Sequence, residues 1–273
     1  MSQYFINVES KPGINKLAQN PCKYLNFELL VLSAGQTYTA QTGEREVAAV
    51  ILGGLGTFES GNKRLEKVGG RANVFSGKPH TIYLPAGVSY TITADTALEV
   101  GLCSAPAVKT DIDMYVIPPS KVNAGVWGAA NFSRNFHEIL TATMQPDLPA
   151  QRLIVGETFT PSGNWSTYPP HKHEHDGGGE AFHEEMYFFK INTPEGFGIL
   201  RHYDRATFEE NYTVRNNTIL MAPKGYHTFV CAPGYTGYYL WFLAGEHRNQ
   251  GVSADPDLGW VNKTVPMLKA LGH

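Results

Sequence analysis

Charge is scarce in this sequence. Only 17% of its 273 residues are Asp, Glu, Lys or Arg, and the two signs nearly cancel to a formal net charge of −3. A nucleic-acid or anionic-membrane binder shows a basic excess or stripe, so neither partner is expected. Long apolar runs are missing as well: no stretch approaches the ~18 residues of a membrane-spanning helix. The opening residues Met1-Ser2-Gln3-Tyr4-Phe5 lack a basic region followed by an apolar one. No signal peptide is therefore expected, and a cytoplasmic location is the default. The three cysteines, Cys22, Cys103 and Cys231, lie far apart and are odd in number. They supply neither a disulfide framework nor a zinc knuckle, and read as small core residues.

What is present points to β structure. Hydrophobic residues make up 42% of the chain and aromatics 12%, with 28 Gly and 17 Pro. That is enough apolar material for a packed core and enough turn formers for many short strands. Runs rich in Val, Ile, Thr, Tyr and Phe occur at 24–32, 46–52, 81–84, 89–93, 98–103, 153–160, 185–191, 218–221, 228–231 and 238–243, nearly all followed within three residues by Gly, Pro or Asn. Strands of this kind predict an all-β sandwich or barrel. The one helical pattern is a short tail at 265–271.

The two halves repeat one plan. Ser33-Ala34-Gly35 answers Pro161-Ser162-Gly163, and the strand led by Glu46 answers the one led by Glu185. Pro85-Ala86-Gly87 answers Pro223-Lys224-Gly225, and 98–102 answers 239–243. The expected organisation is a β domain over residues 1–110, a connector over 111–149, and a second β domain with a tail over 150–273.

Chemistry concentrates in the second half, where six of the ten histidines fall between 171 and 227. Residues two apart on a strand share a face, so His171 and His173 can aim two imidazoles at one metal. His175 shares their parity, but Gly177-Gly178-Gly179 signals that a loop has begun. The loop and the next strand offer Glu174, Asp176, Glu180, Glu184 and Glu185 as a carboxylate ligand. His227, delivered by the Pro223-x-Gly225 turn, can complete the set. Such a donor set suits Zn²⁺, Mn²⁺ or Fe²⁺. An isolated His-x-His is ordinarily a solvated surface feature; its order with a Glu-led strand and a Pro-x-Gly…His inside one β domain is what favours a metal.

That order, Gly163…His171-x-His173…Glu185…Pro223-x-Gly225…His227, resembles the cupin pattern. The first half has the skeleton without ligands, with Ser89 and Tyr90 where a histidine would stand. The resemblance implies a bicupin: two jelly-roll β-barrels, the second alone holding metal. The runs 162–173, 223–227 and 234–240 further resemble the 5-deoxy-glucuronate isomerases of myo-inositol catabolism, relatives of the zinc-containing 4-deoxy-5-threo-hexosulose-uronate isomerases of pectin breakdown. The match covers essentially the whole chain and is strongest from 153 to 245. It implies His171, His173, Glu185 and His227 as ligands, with zinc preferred. Eleven residues separate His173 from Glu185, against the usual three or four. Spacing alone therefore leaves Glu184 open beside Glu185.

The resemblance implies conversion of 5-deoxy-D-glucuronate to 5-dehydro-2-deoxy-D-gluconate, an aldose–ketose isomerisation through an enediol in a homo-oligomer. A base must take the C2 proton. Glu184, Tyr187, His202 and Glu157 are candidates. The anionic substrate calls for a cation, with Arg201 preferred over Lys172 and Arg248. Trp165, Tyr168, Tyr239 and Trp241 could wall the pocket. Lys172 alternates with the ligand histidines and should point away from the metal. The alternatives are a metal-dependent cupin dioxygenase and a non-catalytic sugar-acid-binding cupin.

Overall fold

The computed structural model describes residues 2–273 and is built from antiparallel strands in four sheets. A six-stranded sheet (Tyr115–Ile117, Thr81–Leu84, Arg45–Gly53, Leu98–Pro106, Asn26–Leu32, Gly13–Lys16) faces a four-stranded one (Thr37–Gln41, Ser89–Ala94, Leu55–Ser60, Lys63–Gly69). A seven-stranded sheet (Phe5–Asn7, Thr218–Ala222, Glu184–Ile191, Gly237–Ala244, Ile154–Thr160, Arg134–Leu140, Asn123–Trp127) faces a five-stranded one (Glu209–Val214, Gly198–Tyr203, Tyr226–Cys231, Trp165–Lys172, Ser253–Ala254). These are two jelly-roll barrels of the cupin type, so the bicupin expectation holds. The expected tail helix forms over Val265–Ala270.

Three apolar clusters explain why the central strands read as unbroken hydrophobic runs. Leu30, Ile51, Ile82 and Val100 fill the first barrel. Tyr187, Phe189, Leu200 and Phe229 fill much of the second. Phe27, Val50, Met186, Phe188, Leu240 and Phe242 form a third cluster where the two larger sheets pack face to face. A strand buried on both faces needs apolar side chains of both parities. Gly237–Ala244 is buried at every position, its odd residues entering the barrel and its even ones the interface. The outer sheets carry the opposite signature: Thr37–Gln41, and Glu209–Val214 up to its buried last residue, alternate between exposed and partly buried positions.

The chain laces the halves together. Phe5–Asn7 pairs with Thr218–Leu220 on the edge of the second half's large sheet. Within 111–149, Tyr115–Ile117 joins the first half's sheet, while Asn123–Trp127 and Arg134–Leu140 join the second's.

Two buried glutamates clasp the joint reciprocally. The Glu46 carboxylate accepts the amides of Gln151, Arg152 and Leu153 at 2.8, 2.6 and 2.7 Å. The Glu184 carboxylate accepts those of Lys23, Tyr24 and Leu25 at 2.6, 2.6 and 3.1 Å. Each caps the segment that enters the other half, so Glu46 corresponds to Glu184. The repeat is therefore one residue out from the alignment read in the sequence. Val47, paired with Leu84, stands where Glu185 pairs with Ala222.

Candidate metal centre and substrate cavity

The second barrel's two sheets bring four side chains to one point. His171 is next to last on the strand Trp165–Lys172, His173 follows that strand, Glu185 is second on Glu184–Ile191, and His227 is second on Tyr226–Cys231. One ligand atom from each lies within 4.8 Å of all the others. The Glu185 Oε2 is 2.9 Å from His173 Nε2 and 2.9 Å from His227 Nε2. The imidazole centroids of His171 and His173 lie 4.9 and 5.6 Å from that of His227.

Local geometry accounts for the convergence. The strand Trp165–Lys172 carries a wide bulge: Ser166 pairs with Phe229 and His171 with His227, five residues on one strand against two on the other. The extra residues Tyr168-Pro169-Pro170 carry the chain past the barrel mouth and set His171 directly across from His227. Gly225 makes the opposite turn at φ +92°, where an added Cβ would stand 2.9 Å from the Tyr203 carbonyl oxygen. A side chain there would push the His227 strand outward.

The ring tautomers are set from behind. His173 Nδ1 is 2.7 Å from the His183 carbonyl oxygen, an interaction that requires the proton on Nδ1; Nε2, which meets Glu185, is the nitrogen that would turn its lone pair to a metal on losing its proton. Burial pushes His171 well below its ordinary pKa, and the neighbouring His227 adds to the effect. Burial would raise Glu185, but hydrogen bonding to His173 and His227 prevails and holds it below the usual carboxylate range. Three imidazoles and one ionised carboxylate converging in a buried pocket form a donor set that could hold a divalent cation.

A cavity of about 590 Å³ opens over the cluster. Tyr187, Tyr168, Tyr239 and Trp241, all named from the sequence, line it, while Trp165 packs outside at a tilt against Tyr168. The Tyr187 hydroxyl is 3.0 Å from His227 Nε2, and burial, with the charge of Glu185, keeps it protonated far above the normal phenol range.

Four other assignments are corrected. Glu184 has the opposite parity to Glu185 and is spent on the three amides described above; it faces the first half, not the cavity. His202 bonds the Lys224 carbonyl at 2.8 Å and packs against Tyr4 and Phe208, away from the cavity lining. Glu157 is held at the joint between the halves by Arg71, His137 and Tyr238. Arg201, on the strand Gly198–Tyr203, is bonded to Glu209 at 2.9 Å with its guanidinium 3.9 Å from the Tyr203 ring, and does not reach the cavity.

The other side chains considered are also accounted for. Lys172 points to Glu174 and Glu180, as its alternation with the histidines requires. Arg248 is tied to the Leu153 and Leu140 carbonyls. His175 is exposed beside Glu174. Several lining residues carried no sequence signal: Trp127 and Arg134 from the former connector, Thr158, and Asn262, Val265 and Pro266 from the tail. The nearest thing to a signal was the repeat itself, since 111–149 has no counterpart in the first half.

Among the described residues, no helix is long and apolar enough to cross a membrane. The KduI/IolB family profile matches residues 11–261. The chain is 40% identical over 242 residues to a 5-deoxy-glucuronate isomerase of Geobacillus kaustophilus, covering 88% of this chain and 86% of that protein. It is 34% identical over 246 residues to the enzyme of the same name from Bacillus subtilis strain 168, covering 87% and 88%. The crystal structure of an IolB-like protein from Salmonella typhimurium superposes with a TM-score of 0.88 at 29% identity, covering 95% of this chain and 99% of that one. An oxalate decarboxylase from Lactobacillus farciminis shares the fold at 10% identity and a TM-score of 0.67, over 93% and 89% of the two chains. With a profile match spanning nearly its whole length and relatives at this level of identity, the chain belongs to the KduI/IolB family.

Proposed function

We propose that this protein is the aldose–ketose isomerase that converts 5-deoxy-D-glucuronate to 5-dehydro-2-deoxy-D-gluconate. The observation that carries the reading is the three-histidine, one-glutamate cluster at the base of a cavity of sugar size, in a chain of this family. His171, His173, Glu185 and His227 would hold a divalent metal, zinc by the resemblance and Mn²⁺ or Fe²⁺ by donor chemistry. Such an ion supplies a Lewis acid for a carbonyl and its neighbouring hydroxyl oxygen.

The protein's own groups do the rest. The reaction moves a proton from C2 to C1 through an enediol and consumes no redox cofactor. Tyr187, one face of the cavity floor, keeps its proton at neutral pH and can donate it in a hydrogen bond to a substrate oxygen that becomes negative. The His183 carbonyl keeps a proton on His173 Nδ1, so Nε2 is the nitrogen that would face a metal. The aromatic walls exclude water and strengthen these polar contacts.

Proton NMR of 5-deoxy-glucuronate with the protein in D₂O tests the reading. Conversion to the 5-keto acid that a chelator abolishes is expected. Absence of conversion by freshly metallated protein would overturn it, and oxygen uptake in its place would assign a dioxygenase.

A further inference from the structure

The cavity has a second polar feature, on the sheet that carries Glu185 rather than on the one that carries the histidines. Arg134 opens the strand Arg134–Leu140 and Trp241 lies two strands away on Gly237–Ala244, both lining the cavity. Among the described residues, Arg134 is the one Lys or Arg on that lining. It forms no ion pair with a carboxylate there, and its buried Nε has no hydrogen-bond partner. Its guanidinium lies 5.3 Å from the Trp127 ring, and Trp127 stands 6.5 Å from Trp241.

The Trp241 Nε1 is likewise buried without a partner, in a residue only 5% exposed. Gly156 makes room for this indole: an added Cβ would fall 2.1 Å from its Cζ2. Two buried N–H donors, one of them cationic, left unpaired in one cavity carry a desolvation penalty that an anionic acceptor would remove. The fork of a guanidinium matches a carboxylate in shape as well as charge.

We propose that Arg134, assisted by the Trp241 indole N–H, is the receptor for the carboxylate of the sugar acid and sets the preference for acids over neutral sugars. The assignment rests on the isomerase reading for the identity of the sugar and on the cavity alone for its charge. It places the carboxylate away from the histidines and leaves the aldehyde end of the substrate to face the cluster.

The test compares the metallated wild type with Arg134→Gln, Arg134→Lys and Trp241→Phe. Metal content is measured in each to show that the cluster is intact. Arg134→Gln is expected to raise KM for 5-deoxy-glucuronate by roughly 10- to 100-fold, the range of a lost charged hydrogen bond, with a much smaller change in kcat. Arg134→Lys should fall between, and Trp241→Phe should raise KM by a few-fold.

The ratio of KM for the methyl ester to KM for the free acid should collapse toward one in Arg134→Gln; a merely structural role would weaken acid and ester alike. Binding of D-glucuronate, followed by quenching of the Trp127 and Trp241 emission, separates this proposal from the isomerase reading. Quenching by glucuronate but not by glucose, lost in Arg134→Gln, supports the receptor even if no turnover is found. Equal acid preference in wild type and Arg134→Gln, by KM ratio or by quenching, overturns it.

Discussion

The two barrels follow one strand plan and use their interiors differently. In the first, the space between the sheets is filled by Leu30, Ile51, Phe58, Ile82 and their neighbours. In the second, it is packed at one end by Phe189, Leu200 and Phe229 and left open at the other over four side chains that could hold a metal. The register makes the comparison residue by residue. Gln41 pairs with Ser89 as His171 pairs with His227, and Val47 occupies the Glu185 position. A strand plan thus fixes where a site could be; a few side chains decide whether that space becomes a core or a cavity. The first barrel contributes by covering the back of the sheet from which Glu185, Tyr187, Arg134 and Trp241 project.

The contrast between the barrels is most vulnerable at the four clustered side chains. His227→Ala is expected to lose stoichiometric metal and more than about a thousandfold in activity, while circular dichroism and elution volume stay those of the parent. Metal retained at one equivalent would remove His227 from the ligand set. The mirror experiment is Val47→Glu, which places a carboxylate at the corresponding point of the other barrel. With no imidazole to meet it, this charge should cost on the order of 3–5 kcal/mol of stability, read as a large fall in Tm, and recruit no second metal.

The paired clasps sharpen the comparison further. Glu46→Gln and Glu184→Gln each turn an acceptor-only carboxylate into an amide facing three N–H groups. Each should lower stability by about 1–3 kcal/mol, by similar amounts, and leave metal content unchanged. Glu185→Gln should do the reverse and lose metal. If Glu184→Gln also lost metal, the two adjacent glutamates would not have separate duties.

A smaller effect is expected at Asp255, which bonds the Tyr203 hydroxyl at 2.6 Å and Arg205 at 2.8 Å and starts the tail that reaches the second barrel's cavity; the first barrel has no such cover. Burial pushes Asp255 up, but the Tyr203 hydroxyl, the Asp257 amide and the Arg205 charge more than offset it, so its pKa is depressed. Its contribution is therefore complete above the ordinary carboxylate pKa and is lost as pH falls through the depressed folded value. Limited proteolysis after residue 255 should accelerate on that acid side in the parent, and Asp255→Asn should be cut readily already at neutral pH. Identical proteolysis profiles would show that this contact does not hold the tail.

The cluster was legible because each of its residues sits beside a local signal: a two-residue spacing, a strand start, a Pro-x-Gly turn. Glu184 against Glu185 was not, because a loop between His173 and the strand erases parity, and only the partner segment at Lys23–Leu25 reveals which carboxylate turns away. The one-residue slip in the repeat has the same origin, since Glu46 looks like a ligand-position glutamate until its three amide partners are seen. Arg201 and His202 stood in plausible strand positions, but nothing in a sequence tells an outer sheet face, or the packed end of a barrel, from the open end. Arg134 was invisible for a different reason: it lies in a stretch with no counterpart in the other half, and its neighbours in space, Trp127 and Trp241, are 7 and 107 positions away.

The lacing of Phe5–Asn7 onto Thr218–Leu220 also sets a timetable. On the ribosome the strand Phe5–Asn7 has no place to go until more than two hundred further residues have been made. The first barrel can collapse early on its own short-range pairings, but the leading segment must wait, exposed, for the second. This early-made segment is thus among the last parts of the fold to be fixed, and a stop in translation before residue 218 leaves it without its docking edge.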